Sequence, residues 1–511
     1  MVTGKLSEAV TIGQAIRQRW RLNAFTPLSF TDSDGTYSVT VGELVRRSEI
    51  CAARLRRATH PAEIVAVWST STLAAAEAIL GALLAERAVA PLLHLLGPEE
   101  LALALTAARA SCVIAPETVV RTHVADAVDE AFRCGSITRW LSMDNTEVRR
   151  RDMRVTVRAA RRTEQDRLII LTSGSSGRPK AVRHSSASIL AEVNDFRTAF
   201  TIGGGDWFMQ TFPFGHVGGV VGLLQAVLLG VPTVVLDKWN ARSAVAAVAM
   251  RPVVAMGSTP HFLSTLLDEA AGTSTGRLRQ VMSGGAAVDA NLVSRADDRG
   301  IQVFRCYGSS EHPTATWSSP DSPPEVRGQT DGVSQNGSEI QIVDAFGFPV
   351  DRGAEGSLQV RGPEQFLGYM DDEGPNAITP AGWFCTGDRA IINQSGQLIV
   401  TGRDKDIIIR GGENISAAEV EAKLLLHPSI REAAVVSVPD PRFGEAVSAL
   451  IVTDPGVTLG VEDIRSFFRS QRISRHKTPE SVHAVETLPR SAMGKVDKIE
   501  ARRILINELN R

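Results

Sequence analysis

The sequence predicts an α/β protein in which a large N-terminal domain of mixed parallel sheets and helices precedes a small α+β C-terminal domain. Two patterns indicate this fold. Apolar strand segments alternate with helical segments over the first part of the chain, and near residue 400 a charged stretch introduces a different order of elements. The predicted limits are residues 1–401 for the large domain, 402–406 for a hinge and 407–511 for the small domain. With 511 residues and 43% hydrophobic composition, the chain is long enough for more than one domain.

In the first domain, short apolar runs predict strands and longer apolar stretches predict helices. Strands are expected at residues 63–68, 88–92 and 111–115, and helices at 73–84 and 99–108. Strands that alternate with helices usually pair in parallel, because each helix returns the chain to the same end of the sheet. A parallel sheet is therefore predicted.

The second domain begins with a helix whose start is marked by Ser416 and Glu419, spaced as in a capping box. The helix is expected to end near residue 426, before His427 and Pro428. The elements expected after it are strands around 433–438 and 446–452, a helix near 461–468 and a last helix after Lys498. About 105 residues are enough for an independent α+β domain.

The stretch from residue 217 to residue 236 has no charged residue and is long enough to span a bilayer. It contains four glycines, Gln225 and Pro232, and no basic cluster flanks it. A buried helix over 220–229 followed by a core strand over 233–236 is therefore favoured over a membrane span.

Charge and cysteine usage narrow the class of protein. The net charge of −2 gives no overall attraction to nucleic acid or to membranes. Seven arginines lie between residues 149 and 162 without aromatic residues among them, which favours a solvated linker or an edge strand over contact with a nucleic acid or a large cofactor.

Five widely spaced cysteines and the absence of an apolar leader at the N-terminus are typical of a cytoplasmic protein. The 47 arginines (55 minus 8) far outnumber the eight lysines, which supports the hypothesis of a GC-rich bacterial genome.

The most informative segment is a strand, a loop and a second strand over residues 168–184. Hydroxyl and glycine residues in this loop allow main-chain N–H groups and side-chain donors to converge on phosphate oxygens. Proline precedes the lysine and residues 181–184 are typical of a strand, whereas the P-loop of kinases and GTPases opens a helix. A Gly/Ser-rich solvent turn is the alternative, but it does not explain the order of the residues. The predicted phosphate-binding residues are Thr172, Ser173, Gly174, Ser175, Ser176, Gly177 and Lys180.

Two motifs in the middle of the chain suit a base or an acyl group. Residues 212–219 place His216 among aromatic and apolar neighbours just before the predicted buried helix, where a lone histidine is more often a packed core residue. A strand ends at residues 281–286 with Gly284, Gly285 and Ala286, whose small size leaves room close to the backbone.

Residues 307–311 and Asp388 have the chemistry of a nucleotide site. Tyr307 offers an aromatic face for a purine, the serine hydroxyls that follow suit a phosphate, and the Glu311 carboxylate can hold magnesium. Asp388 is a compact acceptor for two ribose hydroxyls. Each of these features alone could belong to an ordinary turn.

In this order and spacing, the motifs strongly resemble those of the adenylate-forming superfamily, which contains acyl-CoA synthetases, peptide-synthetase adenylation domains and firefly luciferase. The resemblance covers nearly the whole chain, and three of the eight lysines, Lys180, Lys405 and Lys495, stand where the family pattern uses them. The elements that carry it are residues 172–180, 212–219, 283–286, 307–311, 386–388, 402–413 and 489–495.

The resemblance implies a two-step reaction that uses ATP, Mg²⁺ and coenzyme A. A carboxylic acid attacks the α-phosphate of ATP to give an acyl adenylate and pyrophosphate, and a thiol then takes the acyl group. The implied catalytic residues are Lys495, which bridges the two anions, Glu311, which holds magnesium, and Lys405, about which the small domain rotates. Besides the phosphate loop, the implied nucleotide and thiol contacts are Gly285, Ala286, Tyr307, Gly308, Ser310, Asp388, Arg403, Gly411 and Gly412.

The implied acid pocket is largely apolar. Amino-acid adenylation domains usually carry an aspartate near the start of this segment to hold the substrate amine, and none stands near the start of residues 212–219, so an amine-free acid is expected. Residues 307–313 resemble those of ligases for alicyclic, aromatic or short-to-medium-chain acids. Ser310, Arg305 and Cys306 depart from the commoner family residues. Two alternatives stay open: delivery of the acyl group to a carrier-protein thiol or another nucleophile, and a nucleotide-binding protein without turnover. The pocket residues are Phe214, His216, Val217, Gly218 and Gly284.

Overall fold

The internal contacts of the chain divide it into two units. Unit 1 comprises Met1–Glu339 and Val360–Phe384, and unit 2 comprises Ile340–Gln359 and Cys385–Arg511. The structure is a computed structural model. It describes residues 11–32, 35–94, 96–116, 139–142, 148–150, 167–173, 179–286, 288, 290–371, 377–410, 413–471, 473, 477–491 and 494–509.

The described residues form the following strands and helices. The strands are β1 (Pro27–Asp32), β2 (Gly35–Thr40), β3 (Ile64–Trp68), β4 (Ala88–Leu92), β5 (Cys112–Ala115), β6 (Arg139–Ser142), β7 (Val148–Arg150), β8 (Leu168–Ser173), β9 (Pro179–His184), β10 (Trp207–Gln210), β11 (Thr233–Leu236), β12 (Val253–Ser258), β13 (Gln280–Ser283), β14 (Gln302–Tyr307), β15 (Thr316–Trp317), β16 (Val333–Ser334), β17 (Glu339–Val343), β18 (Glu355–Arg361), β19 (Phe384–Ile392), β20 (Leu398–Arg403), β21 (Ile407–Arg410), β22 (Glu413–Ser416), β23 (Ile430–Asp440), β24 (Gly444–Thr453) and β25 (Ser481–Ala484). The helices are α1 (Ile12–Arg19), α2 (Val41–Ala58), α3 (Leu73–Leu84), α4 (Pro98–Ala107), α5 (Ser186–Ala199), α6 (Val217–Leu229), α7 (Ala241–Met250), α8 (Pro260–Glu269), α9 (Ala290–Asp297), α10 (Pro324–Gln329), α11 (Ala417–Leu424), α12 (Val461–Ser470) and α13 (Lys498–Leu509).

Unit 1 is built on two sheets. Sheet A has the order β16-β15-β14-β13-β12-β10-β11-β1-β2, and sheet B has the order β7-β6-β5-β3-β4-β8-β9. In sheet A the strands from β14 across to β1 pair in parallel, as do the strands from β6 across to β8 in sheet B. Buried apolar residues of sheet A pack against α7, α8 and α9, and those of sheet B pack against α4. The predicted parallel α/β body is confirmed.

Unit 2 contains sheet C, with the order β17-β18-β19-β20, and sheet D, in which β22-β21-β24-β23 pair in this order and β25 joins β24. Sheet D packs against α11 and α12 in one apolar cluster and against α13 in another. The Ser416 hydroxyl accepts the N–H of Glu419, as predicted, but the Glu419 carboxylate bonds Lys477 at 2.6 and 2.8 Å. The predicted capping box is therefore only half formed, because the Glu419 side chain makes an ion pair with Lys477.

The apolar stretch from residue 217 to residue 236 forms α6 and then β11, as predicted. Helix α6 has 13 residues and is buried along most of its length, while a bilayer requires about 20 residues. None of the described helices is both long and apolar enough to cross a membrane. Arg149 and Arg150, at the start of the arginine-rich stretch, belong to β7 at the edge of sheet B, and residues 151–162 lie outside the described residues.

Candidate functional site

The segments of unit 1 that follow β10, β13 and β14 lie at one edge of sheet A. They are residues 212–218, 284–286 and 308–311. The three strands belong to the parallel part of the sheet, and their carboxyl ends therefore share an edge. Gly285 has a φ of +79°, a left-handed conformation that favours glycine. The structure thus brings three of the predicted motifs together at the edge where open α/β sheets usually bind ligands.

The turn after β14 carries Glu311 and is fixed by several hydrogen bonds. The Ser309 hydroxyl accepts two backbone N–H groups of the turn, at 3.2 and 3.3 Å. The Nε2 atom of His184 lies 2.7 Å from the carbonyl oxygen of Ser310, and the N–H of Phe366 donates to the carbonyl oxygen of Glu311 at 2.8 Å. Burial lowers the pKa of His184 to about 4, so the ring is neutral and Nε2 carries the proton that the carbonyl accepts.

The strand-loop-strand predicted to bind phosphate is present as a hairpin of β8 and β9. The strands are antiparallel, with Thr172 opposite Lys180 and Ser173 opposite Pro179. Residues 174–177, which were predicted to surround the phosphates, lie outside the described residues. The hairpin is confirmed, and the phosphate contacts stay a prediction.

Tyr369 connects Lys180 with Glu311. The phenol donates to Oε1 of Glu311 at 2.7 Å, and Nζ of Lys180 lies 4.9 Å from the centroid of the same ring. Burial and, second, the Glu311 carboxylate raise the pKa of the Tyr369 phenol, so the hydroxyl remains a donor. Tyr369 was not among the predicted site residues. Its rarity was an available signal, since the chain has three tyrosines and Tyr307 was already a candidate.

Three buried carboxyl groups lie together next to the turn after β14. Glu192 and Asp195 lie on α5, and both share hydrogen bonds with Glu364. Burial raises the pKa of Glu192 to about 7 and raises the pKa of Asp195 and Glu364. Nδ1 of His312 lies 3.6 Å from Oε2 of Glu364, and burial lowers the pKa of His312 to about 4. Burial therefore favours the protonated form of these carboxyl groups and the uncharged form of His312.

The segment before α6 is held by Gln210. Its side-chain amide donates to the carbonyl oxygens of Phe212 and Gly218 at 3.0 and 3.1 Å. His216 is the N-cap residue of α6, and Phe214 is buried. A Cβ atom on Gly218 would lie 3.2 Å from the Phe212 ring. Phe212 therefore adds an apolar surface that the predicted pocket did not include.

The departures from the family pattern before Tyr307 have structural explanations. Arg305 makes an ion pair with Asp331 at 2.7 Å, and its side chain is 11% exposed. A Cβ atom on Gly284 would lie 2.4 Å from Sγ of Cys306, so the thiol packs directly against this glycine. Burial raises the pKa of Cys306 to about 12, which makes the thiol unreactive.

Asp388 and Arg403, the residues predicted to contact ribose, are cross-strand partners on β19 and β20 in unit 2. Nε of Arg403 lies 2.7 Å from Oδ1 of Asp388. The N–H of Asp388 donates to the Thr386 hydroxyl at 3.0 Å, and Gly387 between them has a φ of +73°. The structure therefore brings this predicted pair together and fixes the orientation of the carboxylate.

Lys405 lies in a short 3₁₀ turn, Asp404–Asp406, between sheet C and sheet D. Oδ1 of the first residue of the turn lies 3.7 Å from Nη1 of Arg389 on β19. Oδ2 of the last residue lies 3.3 Å from Nζ of Lys498 at the start of α13. One end of the turn is thus attached to sheet C, and the other end is attached to α13, which packs on sheet D. Rotation about Lys405 stays a prediction, and residues 411–412 lie outside the described residues.

Lys495 is exposed on a tight turn of unit 2. The N–H of Ser491 donates to the carbonyl oxygen of Lys495 at 2.8 Å, and Gly494 has a φ of +69°. The Arg490 guanidinium donates to the carbonyl oxygen of Gly494 at 2.5 Å and makes an ion pair with Glu432 on β23. Arg490 therefore attaches the turn that carries Lys495 to sheet D.

Glu311 is the candidate ligand for the divalent cation that the resemblance implies. One of its carboxylate oxygens accepts the Tyr369 hydroxyl, and no donor in the described part of the chain bonds the other. Mg²⁺ beside a nucleotide is usually held by one or two carboxylates together with phosphate oxygens. The donor set around Glu311 fits this ion.

Comparison with known proteins defines the class of this protein. A family model described as AMP-binding enzyme matches residues 20–370, and a model described as AMP-binding enzyme C-terminal domain matches residues 419–495. The chain therefore belongs to the AMP-binding enzyme family, and the resemblance to adenylate-forming enzymes is confirmed.

Similar proteins include several ligases. The medium-chain fatty-acid–CoA ligase of Escherichia coli (strain K12) is 34% identical over 348 residues, which are 67% of this chain and 61% of that protein. The salicylyl-CoA synthase / salicylate adenylyltransferase of a Streptomyces species is 32% identical over 360 residues, 66% of this chain and 63% of that protein. The matched region thus spans less than two thirds of the length of these relatives.

A solved structure is similar over nearly the whole chain. The amide bond synthetase McbA from Marinactinospora thermotolerans is 27% identical, with a TM-score of 0.83 over 97% of this chain and 99% of that one. The predicted fold, a large α/β body followed by a smaller C-terminal part, is confirmed by this likeness.

Proposed function

We propose that the protein activates a carboxylic acid with ATP, forming an acyl adenylate and pyrophosphate, and then transfers the acyl group to the thiol of coenzyme A. The observation that carries the proposal is the series of contacts from Lys180 through Tyr369 to Glu311. These contacts connect the β8–β9 hairpin, which is predicted to bind phosphate, with the Glu311 carboxylate, which suits a divalent cation. Membership of the AMP-binding enzyme family supports the same chemistry.

In the first step the carboxylate and the triphosphate are both anions, so the site must supply positive charge. Lys180, the hydroxyls of Thr172 and Ser173 and the amides of residues 174–177 would hold the leaving phosphates. Mg²⁺, when bound, would neutralise phosphate charge, and Glu311 would hold it.

Four further residues would hold the rest of the nucleotide. Tyr307 would stack on adenine, and Ser310 would lie near the α-phosphate. Asp388, oriented by Arg403, would accept the ribose hydroxyls. Positioning of the two reactants then accounts for much of the rate acceleration.

Lys495 would bridge the acid carboxylate and the α-phosphate. It belongs to unit 2, whereas Glu311 belongs to unit 1. By the family pattern, the small domain would rotate about Lys405 after the first step and bring residues 411–412 to the thiol channel. The order of the two half-reactions would follow from this rotation.

The activated acid is proposed to be an amine-free alicyclic, aromatic or short-to-medium-chain acid. Phe212 and the glycines opposite it support an apolar pocket. The names of the relatives refer to a medium-chain fatty acid and to salicylate, which belong to the same range of acids.

A second candidate function uses the same adenylate but a different acceptor, such as an amine or a carrier-protein thiol. The likeness to an amide bond synthetase over 97% of the chain supports this alternative. Both candidates share the first half-reaction and differ in the second.

Pyrophosphate release, measured over a panel of carboxylic acids with and without coenzyme A, tests the proposal. We expect release that depends on the acid, and an acyl-CoA product when coenzyme A is present. Acid-dependent release without any acyl-CoA, followed by amide formation with added amines, would favour the second candidate. Nucleotide binding without release over the whole panel would contradict both.

The variant Lys495→Ala tests the role of the lysine. Loss of a charge-stabilising donor is expected to slow adenylate formation by roughly two to three orders of magnitude, while thioester formation from preformed adenylate is retained. Lys423→Ala, on α11 of the same unit, is the matched control. Equal loss of both half-reactions in the Lys495→Ala variant would contradict the assigned role.

A further inference from the structure

The ring of Tyr369 is held in place independently of its hydroxyl group. The backbone of Tyr369 pairs with Val182 of β9, and the N–H of Met370 donates to the carbonyl oxygen of Ala181 at 2.9 Å. The ring also packs on Phe366, with 5.1 Å between the centroids. The position of the ring is therefore set by β9 and by aromatic packing.

The hydroxyl and the face of the ring serve two different charged groups. The hydroxyl lies 2.7 Å from Oε1 of Glu311, a distance typical of a hydrogen bond to an ionised carboxylate. The ammonium of Lys180 lies over the ring face, 4.9 Å from the centroid, within the range of a cation–π contact. Tyr369 thus contacts both Lys180 and Glu311. In the proposed function, these residues hold the phosphates of the nucleotide and their divalent cation.

We propose that Tyr369 is a positioning residue that gives the two carboxylate oxygens of Glu311 different tasks. Oε1 is occupied by the tyrosine hydroxyl, and Oε2 is directed to the divalent cation that accompanies the triphosphate, so that Glu311 binds the cation through one oxygen. The inference rests on the proposed function, because that function assigns the cation to Glu311.

Two observations support this division. No donor in the described residues bonds Oε2, whereas Oε1 has a short bond to a fixed ring. The ring that carries the hydroxyl is fixed by the pairing of Tyr369 with Val182 and by packing on Phe366, and an ionised carboxylate can only accept, so the hydroxyl is the donor. A carboxylate with one oxygen held this way has a fixed orientation, and the other oxygen keeps all of its lone pairs for the cation.

The variant Tyr369→Phe removes the hydroxyl and keeps the ring, and with it the contacts to Lys180 and Phe366. The measurement is the Kd of Mn²⁺, followed by its electron paramagnetic resonance signal, in the presence of a nonhydrolysable α,β-methylene analogue of ATP. Loss of a partner that orients a metal ligand typically weakens metal binding by 10–100-fold, so we expect a Kd at least about tenfold higher. Affinity for the analogue without metal is expected to stay the same, and saturating Mn²⁺ is expected to restore pyrophosphate release.

Tyr37→Phe is the matched control. Tyr37 lies on β2, where it stacks on Phe30, and its loss of a hydroxyl should leave the Mn²⁺ affinity unchanged. A wild-type Kd for Mn²⁺ in the Tyr369→Phe variant would overturn the inference and leave the proposed function intact. If the wild-type protein itself binds neither Mn²⁺ nor the analogue, the proposed function fails and the inference fails with it.

Discussion

The substitution Glu192→Gln tests the protons held by the carboxyl cluster. Glu192 shares a hydrogen bond with Glu364, and its Oε1 accepts the hydroxyl of Thr314 at 2.9 Å. Glutamine has nearly the same size and can accept from Thr314 while its amide donates to Glu364. The variant therefore replaces a titratable proton with a permanent donor at the same place.

The magnitude follows from the pKa of Glu192, which burial raises from 4.5 to about 7. An acid with a higher pKa in the folded than in the unfolded state makes a favourable contribution below its unfolded pKa and loses it as the pH rises through its folded pKa. One pKa unit corresponds to about 1.36 kcal/mol, so the part that depends on pH is about 3 kcal/mol. We expect the wild-type free energy of unfolding to fall by up to this amount between about pH 5 and pH 8, and the variant to lack this fall.

Urea unfolding followed by tryptophan fluorescence, at about pH 5 and about pH 8, measures the effect. The stability of Glu192→Gln relative to wild type should increase between the lower and the higher pH. Glu269→Gln, an exposed position at the end of α8, is the control and should show no such change. The reasoning is refuted if the difference between wild type and Glu192→Gln is the same at both pH values, or if it changes with the opposite sign.

Three further predictions concern other parts of the two units. Burial holds the pKa of His184 and His312 at about 4, below the value of about 6.5 in the unfolded chain. Their neutral rings therefore contribute to the free energy of unfolding above about pH 6.5, and this contribution is lost as the pH falls towards 4. His312→Asn should make this fall in stability at acid pH shallower in urea titrations. Arg490→Met should lower acid-dependent pyrophosphate release by roughly 10–100-fold, because a displaced turn misplaces Lys495. Asp388→Asn should raise the Kd for ATP by roughly 10–100-fold in calorimetric titrations, since a bond to a charged acceptor contributes about 1.5–3 kcal/mol.

Each of these variants has a control on an exposed residue of the same type. The controls are His60→Asn, Arg469→Met and Asp351→Asn. An unchanged fall in stability at acid pH, wild-type pyrophosphate release or an unchanged affinity for ATP would contradict the respective prediction.

Helices and strands were predictable where the hydrophobic pattern and the capping residue indicate the same limits. The helix expected at residues 73–84 and the strand expected at 88–92 have the predicted limits. For the helix, the hydroxyl of Thr72 accepts the N–H of Ala75 and defines its start. Both segments are almost wholly apolar and buried, so no competing partner shifts their ends. The parallel arrangement followed from the alternation of strands and helices.

The partners of Tyr369 and of the carboxyl cluster were not predictable from the sequence. Tyr369 contacts Lys180 and Glu311, which stand 189 (369 minus 180) and 58 residues earlier in the chain. The carboxyl cluster likewise joins α5 to Glu364. A hydrogen-bonding or acidic residue in a loop has no periodicity that reveals its partner, so these contacts required the three-dimensional structure. The role predicted for the Glu419 side chain in the capping box was wrong for a similar reason, because its actual partner, Lys477, is remote in sequence.

The pairing of β1 with β11 has a consequence for synthesis of the chain. Leu28 of β1 is opposite Thr233 of β11, 205 residues later (233 minus 28). At a translation rate of about 5–20 residues per second, roughly 10–40 s separate the appearance of the two strands. During that interval the edge of β1 that later pairs with β11 stays unpaired, and an unpaired edge is a template for unwanted strand pairing. Completion of sheet A therefore requires that this edge stays unpaired until β11 has been synthesised.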